Sequence, residues 1–154
     1  MIEKIKSFYE EGTKNIRSDL FNEYAERVAK SLASVKTITG KDGKSKEIRN
    51  GISSTQIRKL FDEVKRYERL IGSENEKTWQ EQYPYIKMIK SKTHYTVARS
   101  KKNDKYNAEY YDNLQDFISE GIDLIKSEND YHIFVSLFEA VYGFYYENRP
   151  DTKN

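Results

Sequence analysis

Apolar residues recur along most of the chain at three- and four-residue intervals, the spacing that puts them on one face of a helix. Between residues 18 and 35 the series is Leu20, Phe21, Tyr24, Ala25, Val28, Leu32 and Val35, with Ser18 placed as the N-cap. The period lapses over 36–52. There Gly40, Gly43 and Gly51 are scattered among charged residues, so the stretch reads as a flexible basic loop, and a loop of that length is expected to be functional. Its glycines and lysines suggest that it orders only on binding. Ser53 and Gln56 have capping-box spacing, and Ile57, Leu60, Phe61, Val64, Tyr67 and Ile71 then form one face before Gly72. A second capping box, Ser73 with Glu76, opens a helix carrying Trp79 and Tyr83. Pro84 predicts a kink or restart, since it lacks a donor and disfavours helix in the residue before it. Ile86, Ile89, Thr93 and Val97 mark the next piece, Tyr85 to about Arg99. After a polar stretch, Ser100 to Lys105, helices are expected over about 106–126 and 130–147. The last has the widest apolar arc (Ile133, Phe134, Leu137, Phe138, Val141, Phe144 and Tyr145) and so belongs at the centre. Residues 149–154 are expected to fray.

The fold expected is all-α: a single-domain bundle of about five to six helices over residues 1–154, with 36–52 as its loop. Composition agrees. Seven Gly and two Pro are too few for the hairpins of a sandwich or barrel. The absence of Cys removes disulfides, thiolate metal sites and thiol chemistry. No apolar run approaches the roughly 20 residues of a membrane span, and residues 1–11 carry no secretory core, so a cytoplasmic protein is expected. Catalysis finds little support. His94 and His132 are the only imidazoles, neither in a glycine-rich elbow, and Gly40 and Gly43 lack phosphate-loop spacing. Asp112, Asp116, Glu120 and Asp123 fall on the solvent side of their helix. No enzyme, cofactor or metal is expected.

Charge changes the picture. The net charge of +2 conceals +5 over residues 36–72, +6 over 87–105 and −7 over 106–154. Such segregation either draws a polyanion to one side or is cancelled when oppositely charged helices pack together. On the 53–71 helix, Arg58, Lys65 and Arg69 share a stripe with Asp62, and Lys59 and Arg66 lie beside it. Lys36, Lys41, Lys44, Lys46 and Arg49 of the preceding loop lead into that stripe. On the 85–99 helix, Lys92 and Arg99 share a stripe with Met88 and Tyr95, while Lys87, Lys90 and His94 form another flank. Cations spread along helices can follow a phosphate chain, and tyrosine or guanidinium planes can stack on bases. Two such faces and a basic loop within 70 residues favour a polyanion over a merely solvated surface.

Three blocks carry a family resemblance. Ile52-Ser53-Ser54-Thr55-Gln56-Ile57-Arg58-Lys59-Leu60-Phe61 is similar to a block of the small helical subunit of type III-A CRISPR effector complexes. The run from Tyr85 to Arg99 resembles that family's second block, with Ala98 where its members place a glycine. Phe138 to Tyr145 resembles its closing aromatic helix. Order and spacing fit over about residues 50–147. The resemblance implies a helical bundle that is not a nuclease. It would stack in several copies beside RNA-binding backbone subunits and the large subunit, lining the channel for guide RNA paired with target RNA. Base pairing would carry the sequence information, leaving phosphate contacts and shape to the protein. The RNA-binding candidates are Arg58, Lys59, Lys92 and Arg99 from the blocks, Arg49 and Arg66 from charge and position, and Arg69 and Lys87 as flanking additions. Two other classes compete. Residues 53–72 and the helix after them can be read as a helix-turn-helix DNA-binding regulator, although Glu74 and Glu76 would face the DNA. The aromatic arc of 133–145 can be read as the docking face of a protein–protein adaptor.

Overall fold

Burial of the apolar faces accounts for most of the architecture. The computed structural model describes residues 2–72 and 76–151. A π-helical turn, Leu20–Tyr24, leads into α1 (Ala25–Leu32). Strands β1 (Ala33–Thr39) and β2 (Ser45–Gly51) follow, then α2 (Ser54–Gly72), α3 (Glu76–Asn103), a 3-10 turn (Lys105–Asn107), α4 (Ala108–Leu124) and α5 (Glu128–Asn148). The molecule is thus mostly helical but not strictly all-α. The expected Ser73–Glu76 capping box lies outside the described residues.

As its wide apolar arc predicts, α5 is central. Tyr131, Phe134, Leu137, Phe138 and Tyr145 are fully buried, each such side chain contributing about 1.5–3 kcal/mol or more. Phe138 meets Phe61 of α2 at 5.3 Å and Phe117 of α4 at 5.7 Å between ring centroids. Two buried hydroxyls tie α5 to its neighbours: Tyr131 donates to the Val64 carbonyl of α2 at 2.6 Å, and Tyr145 donates to that of Ile52, between β2 and α2. The arc expected to be free for docking a partner is therefore consumed by the core.

The segment 36–52 corrects the expected loop. It forms an antiparallel ribbon with Val35 opposite Arg49, Lys36 opposite Ile48 and Ile38 opposite Lys46. The absence of a helical period concealed a strand composition: Val35, Thr37, Ile38, Thr39 and Ile48 are β-branched and suit a pleated surface. Two glycines make the geometry possible. Gly43, at φ +77°, closes the turn by donating its N–H to the Gly40 carbonyl at 3.0 Å. Gly51, at φ +138°, lies so close to Ala33 that an added Cβ would sit 2.5 Å from its Cα.

Boundaries moved for local reasons. Helix α1 ends where Ala33 becomes extended to begin the ribbon, and Asp19, not Ser18, precedes the first helical turn. Helix α3 continues through Pro84 without restarting. Losing one backbone bond there costs about 3 kcal/mol. Anchors on both sides offset it: Trp79 stacks on Tyr83 at 4.9 Å, Tyr83 donates to the Ile125 carbonyl at 2.6 Å, and Ile86 and Ile89 are buried. The helix also runs straight through Ala98 and Arg99 to Asn103. The C-terminal segment is docked as far as Asp151, whose carboxylate accepts the Ser54 hydroxyl at 2.5 Å and its N–H at 3.2 Å. That places an anion on the unsatisfied donors at the start of α2. Burial raises the Asp151 pKa, but these bonds outweigh it and hold the group below the usual carboxylate range.

Candidate nucleic-acid interface

Helix α2 lies between α5 and α3. It runs antiparallel to α3, with Gln56 donating to Ser100 at 3.2 Å near one end and Lys92 bridging to Glu63 at 2.9 Å further along. Such side-by-side packing differs from the steep crossing of a helix-turn-helix pair. Ser53 accepts the Gln56 N–H at 3.3 Å, as a capping box requires. The Gln56 side chain returns to the cap through the Ser53 hydroxyl, which donates to its oxygen at 3.1 Å. That oxygen also accepts Tyr111 of α4 at 3.0 Å while the amide reaches Ser100, so Gln56 joins three helices.

Above this junction α2 and α3 part to leave a groove of about 460 Å³. Its floor is Ile52, Leu60, Val97, Tyr111 and Leu114, with Thr93 beside them, and its rims carry Lys59, Glu63, Lys92 and Arg99. Ser100 and Asn103 add polar groups at one end. The structure thus brings Lys59, Lys92 and Arg99 together from two separate sequence blocks. Lys59 and Arg99 form no ion pair with a described carboxylate, and both are exposed. Lys92 pairs with Glu63, and that bond raises its pKa, so the ammonium is held charged. Arg66, exposed, lies near enough to Lys92 for their charges to oppose each other, and its guanidinium sits 4.6 Å from the Tyr67 ring centroid.

The outer face of α3 continues this surface. Tyr85, Met88 and Tyr95 are exposed by 52%, 42% and 64%, far more than large side chains that serve a core. With Lys92 and Arg99 they fall on one stripe, and the Arg99 guanidinium sits 5.6 Å from the Tyr95 ring centroid. The stripe therefore alternates aromatic planes with cations.

Other expected residues separate from this group. Arg58 is exposed on α2 toward α5, where a hydrogen bond to the Tyr142 hydroxyl and the nearby Asp62 favour its charged form. Arg69 is exposed in the last turn of α2, without a described ion-pair partner. Arg49 is engaged: Nη1 donates to the carbonyls of Glu147 at 3.2 Å and Arg149 at 3.1 Å, and Nη2 pairs with Glu47 at 3.1 Å. It caps the end of α5. Lys87 faces α4 and donates to the Ile122 carbonyl at 2.8 Å; burial, with Lys126 nearby, lowers its pKa.

The rest of the basic flank turned toward α4 is similarly occupied. Lys90 pairs with Asp123 at 2.9 Å, Lys101 pairs with Asp112 at 2.6 Å, and His94 is hydrogen-bonded to Ser119 at 3.0 Å. Cancellation between basic and acidic helices is therefore real but confined to this seam. Sequence reasoning missed Glu63 as the groove's carboxylate, since its partner Lys92 lies in another helix. It also missed Gln56 as a junction, because its capping spacing offered a complete local explanation. Among the described residues, no cluster of His, Asp and Glu could hold a metal ion, and no helix is long and apolar enough to cross a membrane.

The site so described is an open cationic groove on a helical scaffold. The family model described as Csm2 Type III-A matches residues 15–148, and the chain belongs to that family, the small subunit of type III-A CRISPR Csm complexes. The match includes the ribbon as well as all three resembling blocks. The family is in general non-catalytic. Neither the curated proteins nor the solved structures contain a match.

Proposed function

We propose that the groove and outer α3 stripe lie against the guide RNA–target RNA duplex, or its target strand, inside the effector complex. Lys59, Arg66, Lys92 and Arg99 contact phosphates, with Arg58 and Arg69 at the margins of the same helix. Tyr95 and Tyr85 supply planes for sugars or unpaired bases. The chain does no chemistry of its own. It is a cytoplasmic scaffold that packs against backbone and large subunits and against further copies of itself. Arg49 and Lys87 act indirectly, because their donors already serve main-chain carbonyls.

The observation carrying this reading is the convergence of Lys59, Lys92 and Arg99 on one groove whose rims hold a single carboxylate, Glu63. Base pairing supplies specificity, so sequence-independent cations suffice. The test is RNA binding by the assembled complex across a salt series, with Lys92→Ala and Arg99→Ala made singly and together. Each lost phosphate contact flattens the plot of log affinity against log salt by about 0.7–0.9. Unchanged slopes in all three variants, with the complex intact, remove the reading.

A further inference from the structure

We infer that the β1–β2 ribbon is a second nucleic-acid contact: a braced arm whose tip lysines follow the phosphate backbone beyond the end of the groove. The inference rests on the reading that the partner is RNA, and it extends that surface to a part of the chain outside the helical blocks.

The first observation is the state of its charges. Residues 36–47 are all exposed, and Lys36, Lys41, Lys44 and Lys46 form no ion pair with a described carboxylate. Of the ribbon's two acidic residues, Glu47 pairs with Arg49 at 3.1 Å, and Asp42 accepts the Lys44 N–H at 3.0 Å within the turn. The tip therefore carries a surplus of cations: Lys36, Lys41, Lys44 and Lys46 against the one carboxylate of Asp42.

The second observation is rigidity at the root. Ser34 is hydrogen-bonded to the Tyr110 hydroxyl at 2.5 Å, Gly51 donates to Asn107 Oδ1 at 3.1 Å, and Ile52 donates to the Leu32 carbonyl at 3.0 Å. Arg49 bonds the other face of the ribbon to the end of α5. An arm of seven-residue strands, about 23 Å long, is thus held at a set angle by α4 on one side and α5 on the other. Arg49 is in this sense a positioning residue.

The third observation is where the arm begins. Ile52, immediately after β2, lines the groove at the end occupied by Gln56, Ser100 and Arg99. A strand leaving the groove at that end meets the base of the ribbon next. From mid-ribbon toward the turn, one face presents Lys36 and Lys46 diagonally, beside Ile48 and an Ile38 that is 49% exposed. Lysines with aliphatic neighbours suit phosphates flanked by sugars. They also discourage strand addition by another protein at the open edges, which favours RNA over a protein as the occupant.

The test compares two double variants in the assembled complex, Lys41→Ala/Lys44→Ala at the tip and Lys92→Ala/Arg99→Ala in the groove, using a guide–target RNA duplex as probe. The tip positions are exposed, so unchanged circular dichroism and unchanged subunit composition are the controls. The tip variant is expected to flatten the salt slope by about 1.4–1.8, reducing the affinity lost between 50 and 200 mM salt by about tenfold. That flattening supports the arm even if the groove variant is silent, in which case the groove reading fails alone. A silent tip with a flattened groove slope overturns the arm and leaves the groove. A tip variant that binds RNA normally but loses another subunit also overturns it, by making the ribbon a protein contact.

Discussion

The two flanks of α3 are built from the same kinds of residue and have opposite fates. Toward α4, Lys87, Lys90, His94 and Lys101 meet a carbonyl, a hydroxyl and two carboxylates in antiparallel order. Toward α2 and solvent, Lys92 meets one carboxylate, while Arg99 and the Lys59 across the groove meet none among the described residues. Basicity alone does not mark a binding surface. What separates the flanks is the neighbour: α4 carries Asp112 and Asp123 at matching intervals, and α2 carries Glu63 among several cations of its own. The seam spends its charge between two helices, and the groove keeps most of its charge unpaired among the described residues.

Three experiments would break or sharpen that distinction. The largest effect is expected from Ile89→Ala, which empties a fully buried position on the α3 face between the flanks. It should cost about 2–5 kcal/mol in urea unfolding and weaken groove and seam together. A loss under about 1 kcal/mol would mean that α3 is not held by this face. Next is Glu63→Gln, which frees Lys92 from its carboxylate. RNA binding by the assembled complex should strengthen at low salt, because the carboxylate that competes with phosphate for Lys92 is gone. Unchanged or weakened binding would argue that Lys92 serves α2–α3 packing and not RNA. The smallest effect belongs to Lys90→Ala with Lys101→Ala. Exposed ion pairs of this kind are worth about 0–1 kcal/mol each, so unfolding should shift slightly and the RNA salt slope not at all. A flattened slope there would erase the difference between the flanks.

The helical face of α5 was legible from its spacing, because a core-facing stripe imposes the same period wherever the helix sits. So was the buried face of α3, where Ile86, Ile89, Thr93 and Val97 are all buried. The ribbon was not. Its strand residues are interspersed with lysines, and a two-stranded arm in solvent has no buried face to impose alternation on the sequence. Pro84 misled for a related reason: a proline's local cost is fixed, whereas the anchors that offset it, Ile125 among them, lie far away in the chain. Among the candidate cations, the blocks singled out Arg58, Lys59, Lys92 and Arg99; three of these line one groove, while Arg58 turns toward α5. Arg49, a candidate on charge and position, and Lys87, a flanking addition, carried no mark in sequence of being already engaged. Their carbonyl partners, at Glu147, Arg149 and Ile122, are main-chain groups that leave no trace in residue type.

The amino-acid order on its own determined that the chain would be chiefly helical, that its last long helix would be central, that thiol chemistry was absent, and that two stretches would be strongly basic. These are properties of period and composition, which any segment carries within itself. Only the tertiary structure decided which cations remain available, which are consumed by α4 or by the end of α5, and that residues 33–51 form a ribbon beginning where the groove ends. Availability depends on the distance between side chains from separate elements, and that distance comes into being only when the helices pack.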